Sequence, residues 1–457
     1  MLNNQTCVTC LNQEDCHKGV RKGIYFETFS PVVKLTTVRF LLAIAVSSGW
    51  FLHQLDVDNA FLHGDLHEEV YMRPPPGFQD SSSKMVCRLH KSLYGLRQAS
   101  RQWNAKLTDA LVAFGFIQST TDHSLFTHRQ NQSFTALLVY VDDVVLTGND
   151  LTLIIEVKQY LHHHFRIKDI GELKYFLGFE VARSHRGLVL NQRKYCLEIL
   201  SEFGLTACKP VDTPSTPTVK LNPDTGDLLD DPTSFRRLIG KLIYLTNTRP
   251  DISFVVQQVS QHMSQPRQPH LQAALRILKY LKNAPGQGLF YPVINNNRLH
   301  AFSDSDWATC STTRKSVTGY CVFYGSSLIS WKSKKQNTVS RSSTEAEYRA
   351  LASLACEIQW LKYITDDLAL TIPMPFPVFC DNQSAIQLAK NPSFHERSKH
   401  IEVDCHFIRA KVLEGLLILS YVPSKHQITD MLTKSLYPTS FQLNLSKMGL
   451  LNIHNPS

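Results

Sequence analysis

The chain has 457 residues and a formal net charge of +9, with 48 Lys and Arg against 39 Asp and Glu. At this length about two to four domains are expected, and a content of 43% hydrophobic and 19% charged residues excludes a chain disordered over most of its length. The basic balance suits a polyanionic partner, but many basic proteins bind nothing charged, so charge alone identifies no ligand.

Cysteine usage and hydropathy bear on the cellular compartment. Eleven Cys are scattered without paired spacings, which predicts reduced thiols rather than a disulfide framework. A group near the start, Cys7, Cys10, Cys16 and His17, fits no standard four-ligand zinc spacing, and chance clustering is the favoured interpretation. The longest apolar run near the front, Val38 to Val46, is too short to cross a bilayer. We expect a cytoplasmic or nuclear protein that is not secreted and has no membrane partner.

Hydrophobic periodicity predicts helices mixed with strands, and therefore an α+β fold. In chain order, helices are predicted over 36–48, 98–114, 151–164, 235–263, 270–282 and 343–368, and strands over 51–56, 300–303, 319–324, 328–332 and 378–380. The segment 135–147 is predicted as two short strands joined by a turn at two acids. Pro-rich or Gly-rich breaks are predicted at 74–83, 208–231 and 283–297.

Two adjacent acids, Asp142 and Asp143, interrupt an apolar β segment, and a third acid, Asp56, ends an earlier predicted strand. Burying such charges without compensation costs several kcal/mol each. A tight turn that presents both carboxylates to divalent cations removes this conflict, and two-metal nucleotidyl transfer requires carboxylates from separate strands. The alternative is a surface hairpin whose turn happens to carry two acids.

Several longer motifs carry a resemblance to a known family. Tyr140-Val141-Asp142-Asp143 resembles the reverse-transcriptase box, and QLDV at 54–57 with AFLHG at 60–64 resembles its first-acid motif. The copia-type retrotransposon version is indicated by SPVV at 30–33, KSLYGLRQA at 91–99, GEL at 171–173 and FLG at 176–178. The resemblance runs from about residue 27 to residue 436.

The resemblance implies a polymerase site. Asp56, Asp142 and Asp143 would be its catalytic acids and would bind two Mg²⁺ ions, with Mn²⁺ as an alternative. Phe61 matches the aromatic gate that selects deoxynucleotides, although core packing also explains a Phe at this position. The implied substrates are an RNA template, a DNA primer and deoxynucleoside triphosphates. The remaining implied substrate-binding residues are Gly95, Arg97 and Gln98.

Four further acidic motifs follow in the C-terminal part: FSDSDWA at 302–308, SSTEAEY at 342–348, CDNQSA at 380–385 and TDMLTK at 429–434. Taken singly, Asp381 is explained as a helix cap, and Glu345 with Glu347 as a solvated first turn. Together they resemble the acidic set of RNase H, which hydrolyses the RNA of an RNA–DNA hybrid with two Mg²⁺ ions. The family pattern, rather than the spacing, selects the metal-binding catalytic set Asp304, Glu347, Asp381 and Asp430 over Asp306 and Glu345.

The resemblance also implies a domain order. We expect a divergent N-terminus with truncated fingers at 1–25, reverse-transcriptase fingers and palm at 26–207, a Pro-rich linker at 208–234 and thumb or connection helices at 235–297. An RNase H-like domain with a mixed five-stranded sheet is expected at 298–440, before a tail at 441–457. Location in a cytoplasmic virus-like particle or the nucleus is implied.

Three functional hypotheses remain at this point. The chain has both activities, it retains only RNase H activity, or it is a non-catalytic remnant that binds nucleic acid.

Overall fold

The computed structural model describes residues 8–12, 30–73, 85–390 and 402–452, with the backbone alone at 8–12 and 85. The predicted break at 74–83 lies outside the described residues, and so do the side chains of the Cys7, Cys10, Cys16 and His17 group. The chain divides into two compact units, one formed by 1–34 and 50–173 and the other by 35–49 and 174–457. These units divide the chain differently from the predicted domains, whose boundaries remain predictions.

The first unit is built on a six-stranded antiparallel sheet. Its strands, in spatial order, are β5 (Ile117–Gln118), β6 (Leu125–Gln130), β7 (Ser133–Tyr140), β8 (Asp143–Gly148), β2 (Phe51–Val57) and β9 (Ile167–Glu172). Two helices, α2 (Ala99–Phe114) and α3 (Leu151–Phe165), bury apolar faces against its core. A second, three-stranded sheet has the order β1 (Val8–Asn12), β4 (Met85–Lys91), β3 (Asp65–Met72).

Local sequence explains where the two helices of this unit begin and end. Asp150 caps α3, because its carboxylate accepts hydrogen bonds from the backbone N–H groups of Thr152 and Leu153. Gly115 ends α2 in the left-handed conformation, which glycine adopts without steric cost. The buried positions Trp103, Leu107 and Leu111 recur every four residues and place one face of α2 in the core.

The second unit contains two five-stranded sheets. One has the order β10 (Tyr175–Phe176), β11 (Phe179–Ser184), β12 (Gly187–Asn191), β13 (Gln287–Pro292), β19 (Leu450–Asn452). The other has the order β16 (Ser327–Lys335), β15 (Val317–Tyr324), β14 (Leu299–Asp306), β17 (Phe376–Cys380), β18 (Leu417–Tyr421). Here β14, β17 and β18 pair in parallel and the others antiparallel, which confirms the predicted mixed five-stranded sheet.

Helices complete this unit: α1 (Leu35–Ser47), α4 (Arg193–Glu202), α5 (Pro232–Leu245), α6 (Ser253–Ser260), α7 (Gln268–Asn283), α8 (Ser343–Asp367), α9 (Gln383–Lys390), α10 (Glu402–Leu413), α11 (Asp430–Thr433) and α12 (Pro438–Lys447). The long helix α8 packs against β14 and β15 and is capped by Ser342, whose hydroxyl accepts from the N–H of Glu345 at 3.2 Å. Among the described helices, none has both the length and the apolar character needed to span a membrane.

The predicted α+β fold is confirmed, and two predicted elements need correction. The single helix over 235–263 is two helices, α5 and α6, because Pro250 begins a short 3₁₀ turn between them. The break at 283–297 contains the strand β13, which pairs with β12 and β19 inside a sheet. The Pro-rich segment after α4 has neither helix nor strand until Pro232 opens α5.

Candidate active sites

The acids of the first cluster meet at one end of the six-stranded sheet. Asp56 on β2 is the direct cross-strand partner of Asp143 on β8. The carbonyl of Asp142 accepts a hydrogen bond of 2.9 Å from the N–H of Val57, so the turn between β7 and β8 is tied to the end of β2. The sheet therefore brings together the three acids predicted from sequence.

The turn that carries Asp142 and Asp143 has an unusual backbone. Val141 has a φ of 55°, a left-handed conformation that a β-branched residue rarely adopts. Its carbonyl accepts a 2.6 Å hydrogen bond from the indole Nε1–H of Trp103, which is buried in α2. The sequence does not predict this bond, because a tryptophan at helical spacing is equally well explained by core packing alone.

The carboxylates of this cluster repel one another. Burial, together with the charges of Asp142 and Asp56, raises the pKa of Asp143, although a 3.2 Å hydrogen bond from the Gln54 amide opposes the shift. Within the described chain, no Lys or Arg forms an ion pair with any of the three acids. Carboxylate oxygens without a counter-ion are the donor set that Mg²⁺ prefers, so the residues present fit a divalent cation.

The predicted substrate-binding residues differ in how exposed they are. Phe61 is in a 3₁₀ turn, is half-buried against the core and has its ring centroid 4.5 Å from that of Tyr94. Burial and the charges of Asp142 and Asp56 raise the pKa of Tyr94, which places its hydroxyl in the field of the acids. Gly95 and Arg97 are exposed on the same loop, whereas Gln98 is buried at the start of α2.

The second cluster collects acids from four elements of the second unit. Asp304 lies on the central strand β14, Glu347 in the first turns of α8, Asp381 directly after β17, and Asp430 at the first position of α11. Glu347 accepts a 3.1 Å hydrogen bond from the N–H of Ser305, next to Asp304. Asp381 accepts a 2.7 Å bond from the hydroxyl of Ser424.

Close packing of α11 on the sheet brings Asp430 to this cluster. Gly319 on β15 is the cross-strand partner of Asp304. A Cβ atom at this glycine would lie 2.5 Å from Cγ2 of Thr433, so only glycine allows α11 to pack this closely. The hydroxyl of Thr433 donates to Asp304 Oδ2, which links the short helix directly to the central acid.

A lysine that sequence reasoning left without a role lies inside this cluster. Lys434 Nζ is 2.8 Å from Asp430 Oδ1 and 3.8 Å from Asp304 Oδ2. Although burial opposes it, the charges of Asp304 and Asp430 raise the pKa of Lys434. Its spacing four residues after Asp430 is the available sequence signal, but the same spacing occurs in many surface ion pairs of helices.

Burial is the main influence on the pKa values of Asp304 and Glu347. It raises the pKa of Asp304 to about 7, despite the opposing charge of Lys434. Burial and the charges of Asp304 and Asp381 raise the pKa of Glu347 to about 9. Without a metal, the cluster therefore holds protons that a divalent cation would displace, and its oxygen donors suit Mg²⁺.

The structure also places the residues that the spacing left ambiguous. The carboxylate of Glu345 accepts a hydrogen bond from the N–H of Arg341 and forms an ion pair with Arg349, so it has structural partners. The carboxylate of Glu347 instead lies beside Ser305 and Asp381, in the acidic cluster. Asn382, not Asp381, caps α9 by accepting from the N–H of Ala385.

A cleft of about 1200 Å³ in the second unit adjoins this cluster. Asp306, Trp307 and Lys434 line it together with the Pro-rich segment, α6 and α7. Its other cationic side chains are Lys220, Arg276, Lys279, Arg314 and Lys335. Trp307 is not a core residue, because its side chain is 47% exposed, and its Nε1–H donates to the carbonyl of Ser340.

Comparisons with known proteins agree with this architecture. A family model described as reverse transcriptase (RNA-dependent DNA polymerase) matches residues 16–217. A solved foamy viral protease-reverse transcriptase in complex with RNA/DNA hybrid has a TM-score of 0.50 and 14% identity, over 86% of this chain and 46% of that one. This likeness shows the fold alone: a reverse-transcriptase fold followed by an RNase H-like domain.

Sequence relatives narrow the assignment. A retrovirus-related Pol polyprotein from transposon RE1 of Arabidopsis thaliana is 46% identical over 95% of this chain and 30% of that protein. A putative transposon Ty5-1 protein of Saccharomyces cerevisiae is 30% identical over 66% of this chain and 100% of that protein. The chain belongs to the copia-type retrotransposon Pol polyproteins, and it spans about 30% of the length of the RE1 relative.

Proposed function

We propose that this chain is an RNA-directed DNA polymerase with RNase H activity. The observation that carries the proposal is the presence of two separate carboxylate clusters, each collected from different elements of a reverse-transcriptase and RNase H-like fold. The proposed substrates are an RNA template, a DNA primer and deoxynucleoside triphosphates at the first cluster, and an RNA–DNA hybrid at the second. The RNA/DNA hybrid named for the foamy viral structure supports a nucleic-acid partner here.

At the first cluster, Asp56, Asp142 and Asp143 would hold two Mg²⁺ ions, or Mn²⁺, which supply charge stabilisation and an activated primer hydroxyl when bound. The chain's own residues prepare this site. Trp103 fixes the turn that presents Asp142 and Asp143, and Gln54 orients the Asp143 carboxylate. Phe61 would lie under the sugar of the incoming nucleotide and exclude a ribose 2′-hydroxyl. Gly95, Arg97 and Gln98 would contact template and nucleotide.

At the second cluster, Asp304, Glu347, Asp381 and Asp430 would hold the ions that position water against a phosphodiester. The N–H of Ser305 and the hydroxyls of Thr433 and Ser424 orient three of these carboxylates. The cations of the adjoining cleft would bind the hybrid through its phosphates, which carry the charge but not the sequence of a nucleic acid.

The proposal is tested by assaying the purified chain for primer extension and hybrid cleavage in Mg²⁺. We expect Asp142→Asn to reduce extension roughly 100-fold or more and to leave cleavage intact, because a lost metal ligand removes several kcal/mol of transition-state stabilisation. Asp304→Asn should do the reverse. Asp58→Asn and Asp224→Asn, at exposed acids outside both clusters, are the matched controls.

Two outcomes would replace the proposal with an alternative. Hybrid cleavage without any primer extension by the unmodified chain would favour a protein that retains RNase H activity alone. Binding of hybrid with neither reaction would favour a non-catalytic nucleic-acid-binding remnant. Extension that survives Asp142→Asn would contradict the assignment of the polymerase site.

A further inference from the structure

A buried thiol lies at the second acidic cluster. Cys380 is the last residue of β17, directly before Asp381, and its side chain is fully buried. Its Sγ lies 3.9 Å from Glu347 Oε2 and accepts a 3.4 Å contact from the N–H of Asn382. One ligand atom each from Glu347, Cys380 and Asp381 lies within 4.8 Å of the other two. This spacing brings one sulfur and two carboxylate groups close enough together to share a metal ion.

The two carboxylate oxygens of Glu347 have different partners: Oε1 accepts the hydrogen bond from the N–H of Ser305, and Oε2 lies beside the thiol of Cys380. Glu347 is 5% exposed, and among the described residues the only hydrogen-bonding group that reaches its Oε2 is the distant thiol of Cys380. Lys434 pairs with Asp304 and Asp430, and no described Lys or Arg forms an ion pair with Glu347 or Asp381. A nearly buried carboxylate oxygen without a close donor is costly, and a cation bound beside the thiol would offset this cost.

We propose that Cys380, Glu347 and Asp381 form a binding site for a thiophilic divalent cation of the Zn²⁺ type, and that this ion blocks the nuclease centre. The inhibitory part rests on the proposed function. Mg²⁺ takes oxygen ligands and gains nothing from a thiol, whereas Zn²⁺ combines one sulfur with carboxylate oxygens. Zinc bonds are roughly 2.0–2.3 Å long, so the three ligand atoms need to approach by only about 1 Å to share one ion. Because Glu347 and Asp381 are also the proposed Mg²⁺ ligands, an ion held by the thiol removes both from the catalytic arrangement.

The binding part is tested with Co²⁺, which replaces Zn²⁺ and gives a thiolate charge-transfer absorption band. We expect Cys380→Ser to lose one thiolate's share of this band, and Glu347→Gln to weaken Co²⁺ binding at this site roughly ten-fold or more. Cys321→Ser is the matched control, because Cys321 is equally buried on β15 of the same sheet and lies outside this group. All variants retain the other thiols, so the difference spectrum isolates Cys380. Identical spectra for the unmodified chain and Cys380→Ser would overturn the site.

The inhibitory part is tested by titrating Zn²⁺ into the hybrid-cleavage assay at fixed Mg²⁺. The Zn²⁺ concentration that halves cleavage should rise roughly ten-fold or more in Cys380→Ser and stay unchanged in Cys321→Ser. Equal sensitivity in all three proteins would overturn inhibition through this site. If the unmodified chain cleaves no hybrid, the proposed function fails, and the Co²⁺ spectra still decide whether the site exists.

Discussion

At the scale of single residues, Lys434 is the internal cation of the second acidic cluster. Its ammonium lies between Asp304 and Asp430, where it offsets the repulsion of two carboxylates drawn from different elements. A bound divalent cation would serve the same electrostatic purpose. Lys434 should therefore contribute most to the stability of the protein when no metal is bound.

Replacement of Lys434 by Met tests this idea. We expect Lys434→Met to lower the free energy of unfolding of the metal-free protein by roughly 1–2 kcal/mol, a discounted value because the side chain is 36% exposed. Saturating Mg²⁺ should restore most of the loss. Thermal unfolding with EDTA and with Mg²⁺ measures both values, and Lys425→Met, at an exposed lysine nearby, is the control. Equal destabilisation in both conditions would show that Lys434 acts through packing instead.

The raised pKa values of Asp304 and Glu347 predict a pH dependence for the metal-free protein. Both groups bind protons more tightly in the folded state, with pKa values of about 7 and about 9 against ordinary values of 3.8 and 4.5. The folded chain therefore holds more protons than the unfolded chain between about pH 4 and 9, and its stability falls as the pH rises through this window.

Thermal unfolding in EDTA at pH 5, 7 and 9 measures this effect. Since Gln cannot ionise, Glu347→Gln should flatten the dependence, most strongly above pH 7, and Mg²⁺ should also reduce it. A decline with pH that is as steep in Glu347→Gln as in the unmodified chain would contradict the assignment of the titration to this cluster.

The residue-level predictions depended on the resemblance more than on the residues themselves. Spacing alone did not separate Glu345 from Glu347, because both lie in the first turns of α8. Their hydrogen-bond partners in the structure distinguish them. Lys434 and Cys380 both lie within the acidic motifs described from the sequence. A surface ion pair explains a lysine and core packing explains a cysteine, so the sequence alone could not identify either residue as part of the site. Their roles depend on distances between elements far apart in the chain.

At the scale of elements, the turn between β7 and β8 is held by a helix. The Trp103 indole on α2 donates to the carbonyl of Val141, whose left-handed conformation costs on the order of 1–3 kcal/mol unless its surroundings enforce it. We expect Trp103→Phe to destabilise the protein by roughly 2–3 kcal/mol, from a lost hydrogen bond and an underfilled core.

The loss of this bond should also affect catalysis. Primer extension by Trp103→Phe should fall by more than global stability explains, because the turn that presents Asp142 and Asp143 loses its anchor. Trp50→Phe, at a buried tryptophan of the same unit that packs on Phe134, is the control for aromatic volume. Extension that is equally affected in both variants at a temperature where both remain folded would contradict an anchoring role.

Periodicity predicted the longest helices, α1, α2, α3, α5, α7 and α8, whereas many strands and short helices were missed. The strand β13 was not predicted, because Gly288 and Pro292 are residues typical of a loop. In the sheet, however, a Cβ at Gly288 would lie 2.3 Å from the carbonyl of Leu190, so glycine is needed where the strands approach closely. Pro292 is the last residue of the strand, where proline is tolerated.

At the scale of the whole molecule, the least expected finding is that α1 belongs to the second unit. It directly precedes β2 in sequence, yet it belongs to the second unit, where it packs against β13 and β16. Arg39 stacks over the ring of Trp331 at 3.9 Å, and Phe40 contacts Tyr324 edge-on. Sequence predicted the helix itself, but periodicity cannot tell which sheet a helix will cover.

Removal of α1 should therefore damage the second unit. We expect a fragment of residues 174–457 to be less stable than one that keeps this helix, because α1 buries ten of its thirteen residues. Addition of a peptide spanning 30–49 should raise the melting temperature of the fragment. A fragment whose unfolding is unaffected by the peptide would show that α1 contributes little to this unit.

The placement of α1 also limits how such a gene can be reshuffled. The coding sequence of the second unit is interrupted by that of the first, since the chain passes between the units after residues 34, 49 and 173. A single recombination breakpoint near residue 173 would join the C-terminal unit of one element to an α1 inherited from another. Surviving hybrids should be those whose parental helices present compatible side chains to β13 and β16, so the two units are expected to be inherited together.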